Sequence, residues 1–176
     1  NEGVGGTRIA RQITLSAVER YDEDFNKRYD AMNKDADVLF IFGGTNDFGH
    51  GDAPIGKEDD ESGYTFNGAI NTLFKKADFD FGKENVIVMT PLHRVGEDNL
   101  RGEGNKAADG EKLSFYAEVI RKQAQKYGLR VIDLYGEKAL NPNISDNAKF
   151  FADGLHPNND GHALLAKIIK ERLGRI

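Results

Sequence analysis

Asp153 and His156 stand in the run FADGLHP, residues 151–157. A carboxylate three residues before a histidine, with Gly154 between them, lets one turn bring both side chains together. The aspartate can then accept from the imidazole Nδ1–H, fix the tautomer and stabilise the imidazolium, which is the carboxylate's role in hydrolytic triads. Pro157 pins the backbone, and a following helix would hold the turn. Taken alone, such a pair reads equally as a surface turn. Asn46 stands in the run GGTND, residues 43–47. At the mouth of a strand its amide can donate to a developing oxyanion, or it can simply close the turn through its own backbone. Asp47 beside it is expected to shape that loop rather than to react. Gly6 closes NEGVGG. Its N–H can point outward from a turn into a helix, or the position can only require a positive φ.

These residues need elements to place them. Val38–Phe42 is an unbroken apolar run and reads as a strand buried on both faces, as in parallel sheets. Ligands of such sheets sit beyond the carboxyl ends of the strands, where Asn46 falls. Ile9, Ile13 and Ala17 recur at spacing four, so the pattern predicts a helix from Thr7, with Thr7 as its cap. Residues 21–35 are weakly patterned, a short helix or a loop. Residues 48–63 form a glycine-bearing polar loop. Phe66, Ile70, Leu73 and Ala77 mark a helix face, and Val86–Met89 a second buried strand. A second polar loop, 92–108, carries His93 and Arg94. Leu113, Tyr116, Ile120, Ala124 and Tyr127 line a further helix that Gly128 ends, and Leu129–Leu134 is a third strand. The last helix starts at Asn158 or Asn159, with Leu164, Leu165, Ile168 and Ile169 inward and His162 packing or capping its first turn. Strands alternate with helices, which gives one α/β domain with a parallel sheet and helices on both faces.

Composition narrows the function. The 176 residues carry a net charge of −5, so no nucleic-acid footprint is expected. No apolar run reaches the length of a membrane span. Cysteine is absent, which removes disulfides, thiolate catalysis and cysteine-bound metal but leaves the compartment open. No signal peptide is present, although the chain has no initiator Met and begins inside a motif. No histidine or carboxylate spacing suits a metal, and GEGNK, residues 102–106, lacks the spacing and ending of a phosphate loop.

Read together, Asn-x-Gly-x-x-Gly-Thr at 1–7, Gly-x-Asn-Asp at 44–47 and Asp-x-x-His-Pro at 153–157 occur in order in an alternating α/β chain. This resembles the SGNH, or GDSL-type, hydrolases: esterases, lipases and acylhydrolases. The resemblance spans the whole chain and implies a flavodoxin-like three-layer α/β/α fold with a parallel sheet. It implies His156 as general base and then acid, Asp153 as its orienting partner, and Gly6 N–H with the Asn46 side chain as oxyanion donors. It implies no cofactor, and as substrate a small-molecule or carbohydrate ester chosen by loops 48–63 and 92–108. His93 and Arg94 could touch the leaving group or acyl chain, and His50 lies where substrate contact is possible.

One block of the family is missing. The nucleophile of these enzymes follows Gly-Asp at the end of the first strand, upstream of the Gly block. Ser16, Ser62, Ser114 and Ser145 do not stand in that setting, and Gly51-Asp52-Ala53 lacks the hydroxyl. The expectation is therefore an N-terminally incomplete domain. An upstream segment, or a separate chain, would bring the serine on a strand beside Val38–Phe42. The alternatives are a non-catalytic binding protein that kept the fold and, without a phosphate motif to support it, a nucleotide-binding flavodoxin-like domain.

Overall fold

The computed structural model describes residues 1–100 and 110–174, so GEGNK and the end of the second polar loop lie outside the described residues. The elements are α1 (Phe25–Ala31), β1 (Leu39–Phe42), α2 (Thr45–His50), α3 (Phe66–Phe81), β2 (Val86–Met89), α4 (Leu113–Lys126), β3 (Arg130–Ile132) and α5 (Asn159–Leu173). The strands form one parallel sheet in the order β1-β2-β3, with Leu39 opposite Val86 and Ile87 opposite Arg130. Parallel order puts all three carboxyl ends on one side, so the loops after β1, β2 and β3 emerge together.

The helices follow their apolar periodicity. Phe66, Ile70, Leu73 and Ala77 of α3 are buried, as are Leu113, Tyr116, Ile120 and Ala124 of α4. Thr65 caps α3 by accepting from Gly68 N, and Asn158 caps α5 by accepting from Gly161 N. That cap leaves His162 exposed in the first turn of α5, not packed or capping as its position suggested. One core joins α1, α3 and α4 to the Ile41, Val86 and Val88 side of the sheet; a smaller one joins Leu165 and Ile168 of α5 to Ile87, Met89 and Ile132. This is a three-layer α/β/α arrangement.

Two further expectations change. First, β1 is not buried on both faces. Phe40 and Phe42 lie beside Ile87 and Met89 in the register, yet they are 43% and 40% exposed. The physical reason is position: β1 is the edge strand of the described sheet, and α5 covers β2 and β3. Second, residues 7–18 contain no helix. Carboxylates occupy the backbone N–H groups of Ile13, Thr14 and Ser16 that a helix ladder would use, and also those of Ile9 and Ala10, which a first turn leaves without an intrahelical acceptor. Asp47 accepts from Ile9 and Ala10, Asp52 from Ile13 and Thr14, and Asp22 from Ser16. Side-chain acceptors compete in this way with the i→i−4 ladder, here mostly from positions distant in the sequence. Ile13, assigned to the inward face of that helix, is instead 64% exposed.

Burial sorts two phenylalanines of the same helix. Phe66 is 0% and Phe79 is 90% exposed. Phe66→Ala should destabilise by about 3–5 kcal/mol in urea unfolding, the usual cost of emptying a core aromatic site, while Phe79→Ala should change stability by about 0.5 kcal/mol or less.

Candidate active site

The loop before α5 is built to present His156. Phe151 and Pro157 form an antiparallel bridge, and Ala152 N donates to His156 O at 2.8 Å, which closes the turn. Inside it, Asp153 Oδ1 accepts from Leu155 N at 3.0 Å and His156 N at 2.7 Å. Its Oδ2 accepts from His156 Nδ1 at 2.8 Å. A carboxylate can only accept, so Nδ1 carries a hydrogen, and in the neutral ring Nε2 then presents its lone pair. Nε2 has no protein partner among the described residues, and the ring is exposed. Gly154 sits at φ +79°, and a Cβ there would meet Val95 Cγ2 at 2.7 Å. Val95 N in turn donates to Gly154 O at 2.9 Å, tying the histidine loop to the loop after β2.

The turn also sets the charge of Asp153. The His156 N–H, then the His156 ring, then the Leu155 N–H hold its carboxyl well below the usual carboxylate range. The lowered value favours the ionised form in the folded state. The stability it contributes is therefore present above the ordinary carboxylate pKa and lost only as pH falls through the lowered one.

Gly6 and Asn46 lie together in a second group, at the carboxyl end of β1. Gly44 begins α2 with φ +101°, and α2 places Asn46 directly beyond β1. Asn46 Nδ2 donates one hydrogen to Thr7 O at 2.9 Å, which brings its amide against the carbonyl of the residue after Gly6 and leaves its second hydrogen available. Gly6 adopts φ +83°, and a Cβ there would lie 2.3 Å from Tyr21 Cε1. No other residue type fits that approach. Asp47 is buried, and loss of hydration pushes its carboxyl up to about 6 against the opposing pull of the Ala10 and Ile9 N–H groups and Arg8. Stability from this group accordingly falls as pH rises from the ordinary carboxylate value through about 6.

His50, His93 and Arg94 are engaged within the protein. His93 Nδ1 donates to Glu97 at 2.9 Å, and its ring stacks on Tyr135 at 4.0 Å. Arg94 is 3% exposed, with its guanidinium 5.5 Å from the Phe48 ring. It thereby packs the loop after β2 onto α2, so Arg94 and Val95 link the histidine turn to the helix that carries Asn46. Arg8 donates to His50 Nδ1 at 2.7 Å. None of the four serines hydrogen-bonds to His156 among the described residues. Nor is any group of three or more His, Cys, Asp or Glu side chains there placed to hold a metal ion. The sequence offered no sign of Tyr21 behind Gly6 or of Glu97 under His93. The signal for Asp47 was its place, next to Asn46 at the end of a strand.

The profile of the GDSL-like Lipase/Acylhydrolase family matches residues 1–164. No curated protein matches the chain. Among solved structures, a protein from Lactobacillus plantarum is 27% identical; the match covers 98% of this chain and 79% of that one, with a TM-score of 0.81. A lipase/acylhydrolase from Enterococcus faecalis is 24% identical over 85% of this chain and 70% of its own, with a TM-score of 0.55. An acetylxylan esterase from Geobacillus stearothermophilus is 18% identical over 98% and 70%, with a TM-score of 0.60. At these last two identities the likeness is one of fold.

The turn geometry yields a titration test. His156→Ala removes the ring from Asp153 but keeps both backbone donors. The Asp153 midpoint, read by carboxyl carbon-13 shifts, should rise in the variant yet stay below the ordinary aspartate value of about 3.9. A wild-type midpoint at that ordinary value would contradict the hydrogen bonding described.

Proposed function

The chain belongs to the GDSL-like lipase/acylhydrolase family, and from that premise we propose that it hydrolyses carboxylic esters through a serine ester intermediate. The observation that carries this reading is the His156–Asp153 pair, with Nδ1 held at 2.8 Å by a carboxylate and Nε2 turned outward. His156 Nε2 takes the proton of the serine hydroxyl as its oxygen attacks the ester carbonyl. The negative charge that develops on the carbonyl oxygen is met by Gly6 N–H and the second hydrogen of Asn46 Nδ2. Collapse of the tetrahedral intermediate breaks the ester bond, and His156 returns the proton to the departing alcohol. Water then enters by the same route and releases the acid.

The nucleophile in this proposal is carried on a further strand that pairs with the open edge of β1. Supporting it are the exposed Phe40 and Phe42 and the lack of a bond between His156 and Ser16, Ser62, Ser114 or Ser145. The outer side of β1 has no strand partner in the described sheet, and unpaired edge N–H and C=O groups invite such pairing. The partner strand is a segment of the same protein or a separate chain. His93 and Arg94, engaged as they are, shape the loop after β2 rather than touch the reacting ester. The substrate is a small or carbohydrate ester, and the fold shared with an acetylxylan esterase makes an acetylated sugar the first to try.

In the full-length protein, His156→Ala should lower hydrolysis of a small chromogenic ester by about 10⁴-fold or more with the fold intact. A loss of less than about tenfold sinks the assignment, since single triad members rarely cost so little. Asn46→Ala should lower kcat by about 10²–10³ with little change in KM, the cost of one oxyanion donor. A raised KM at constant kcat would assign Asn46 to ground-state binding instead.

A further inference from the structure

Asp47 takes no part in the proton transfers described, yet it is held with unusual care. It is 4% exposed and follows Asn46 in the first turn of α2. Each of its oxygens accepts one backbone N–H: Oδ2 from Ile9 at 2.9 Å and Oδ1 from Ala10 at 2.9 Å. Asn46 Nδ2 grips Thr7 O, also at 2.9 Å. Two adjacent side chains of one helix turn thus fix Thr7, Ile9 and Ala10, and Gly6 is joined to Thr7 by its peptide bond. Residues 7–18 have no ladder of their own, so the place of the Gly6 N–H depends on these bonds, alongside the ties of Thr7 Oγ1 to Val4 O and to Arg28. A buried carboxylate costs solvation, which packing alone would not require. What a carboxylate supplies here is two acceptors on one short stem; an asparagine supplies one acceptor and turns an NH₂ toward an N–H.

We propose that Asp47 is a positioning residue for the oxyanion site: by clamping Ile9 and Ala10 it sets the separation between Gly6 N–H and the Asn46 amide. This rests on the ester-hydrolase reading, which gives those two donors their work. The competing account is that Asp47 merely anchors a loop. Asp52 provides the comparison, because it makes the same paired clamp farther along the segment, on Ile13 N at 2.8 Å and Thr14 N at 2.7 Å.

The experiment compares wild type, Asp47→Asn and Asp52→Asn in the full-length protein. Turnover of p-nitrophenyl acetate is counted per site titrated by a fluorophosphonate, so that misfolded protein drops out, and amide hydrogen exchange is read at residues 9, 10, 13 and 14. Asp47→Asn should lower kcat by about 10²-fold, as a misplaced donor does, with KM within about threefold and exchange faster at Ile9 and Ala10. Asp52→Asn should speed exchange at Ile13 and Thr14 and leave kcat within about twofold, the behaviour of a tether away from the chemistry. The proposal is overturned if Asp47→Asn keeps kcat within about threefold, or if Asp52→Asn loses as much, since any tether would then suffice. Should Asp47→Asn not fold, Asp47→Glu keeps both acceptors but displaces them by one methylene. A similar loss of kcat supports the clamp and full retention overturns it. If wild type hydrolyses no ester, the parent reading fails separately. Exchange then decides: slow Ile9 and Ala10 amides that speed up in Asp47→Asn sustain the clamp, and unprotected or unchanged ones overturn it.

Discussion

A backbone N–H removed from water needs an acceptor, and outside its helices and strands this chain supplies many of them with aspartate. Asp153 closes the histidine turn on two backbone donors before it ever touches the imidazole. Asp47 and Asp52 hang an irregular segment on paired bonds, and Asp22 and Asp24 receive Ser16 N and Lys27 N nearby. The functional loops are therefore not loose connections. Their shapes are set by short charged side chains, each rooted in a helix turn or a closed loop. In Asp153 the same bonds that build the turn also keep the carboxylate ionised, so structure and chemistry draw on one interaction.

The sheet decides where those loops meet. With β1, β2 and β3 parallel, Asn46 after β1 and Val95 after β2 emerge on one side, and Val95 holds the turn of Asp153 and His156. The Arg94 guanidinium against Phe48 adds a contact between α2 and the loop after β2. At the other extreme, Phe40 and Phe42 of the edge strand present apolar rings on the sheet face that α5 leaves uncovered. A sheet that is well covered by α3 and α4 on one side and only partly by α5 on the other is the reason a further strand enters the functional proposal.

Much of this was legible in the sequence. Strand Val86–Met89 and helices α3 and α4 follow from apolar periodicity alone, because packing there agrees with local propensity. The Asp-x-x-His turn was legible because its geometry is local, spanning three residues. Residues 7–18 were misread as a helix because their true partners, Asp47 and Asp52, lie about forty positions away and leave no periodic trace. The exposure of Phe40 and Phe42 was equally hidden, since an apolar run looks the same in a central strand and at an edge. Tyr21 behind Gly6 belongs to the same class of long-range contact.

The central claim is that Gly6, Asn46 and His156 converge on one ester carbonyl. A crystal structure of the full-length protein carrying a phosphonate adduct tests it directly. The account predicts a phosphoryl oxygen about 2.7–3.1 Å from both Gly6 N and Asn46 Nδ2, with His156 Nε2 beside the phosphonylated serine. An adduct on Ser16, Ser62, Ser114 or Ser145, or an oxygen bound away from Gly6 and Asn46, would contradict it.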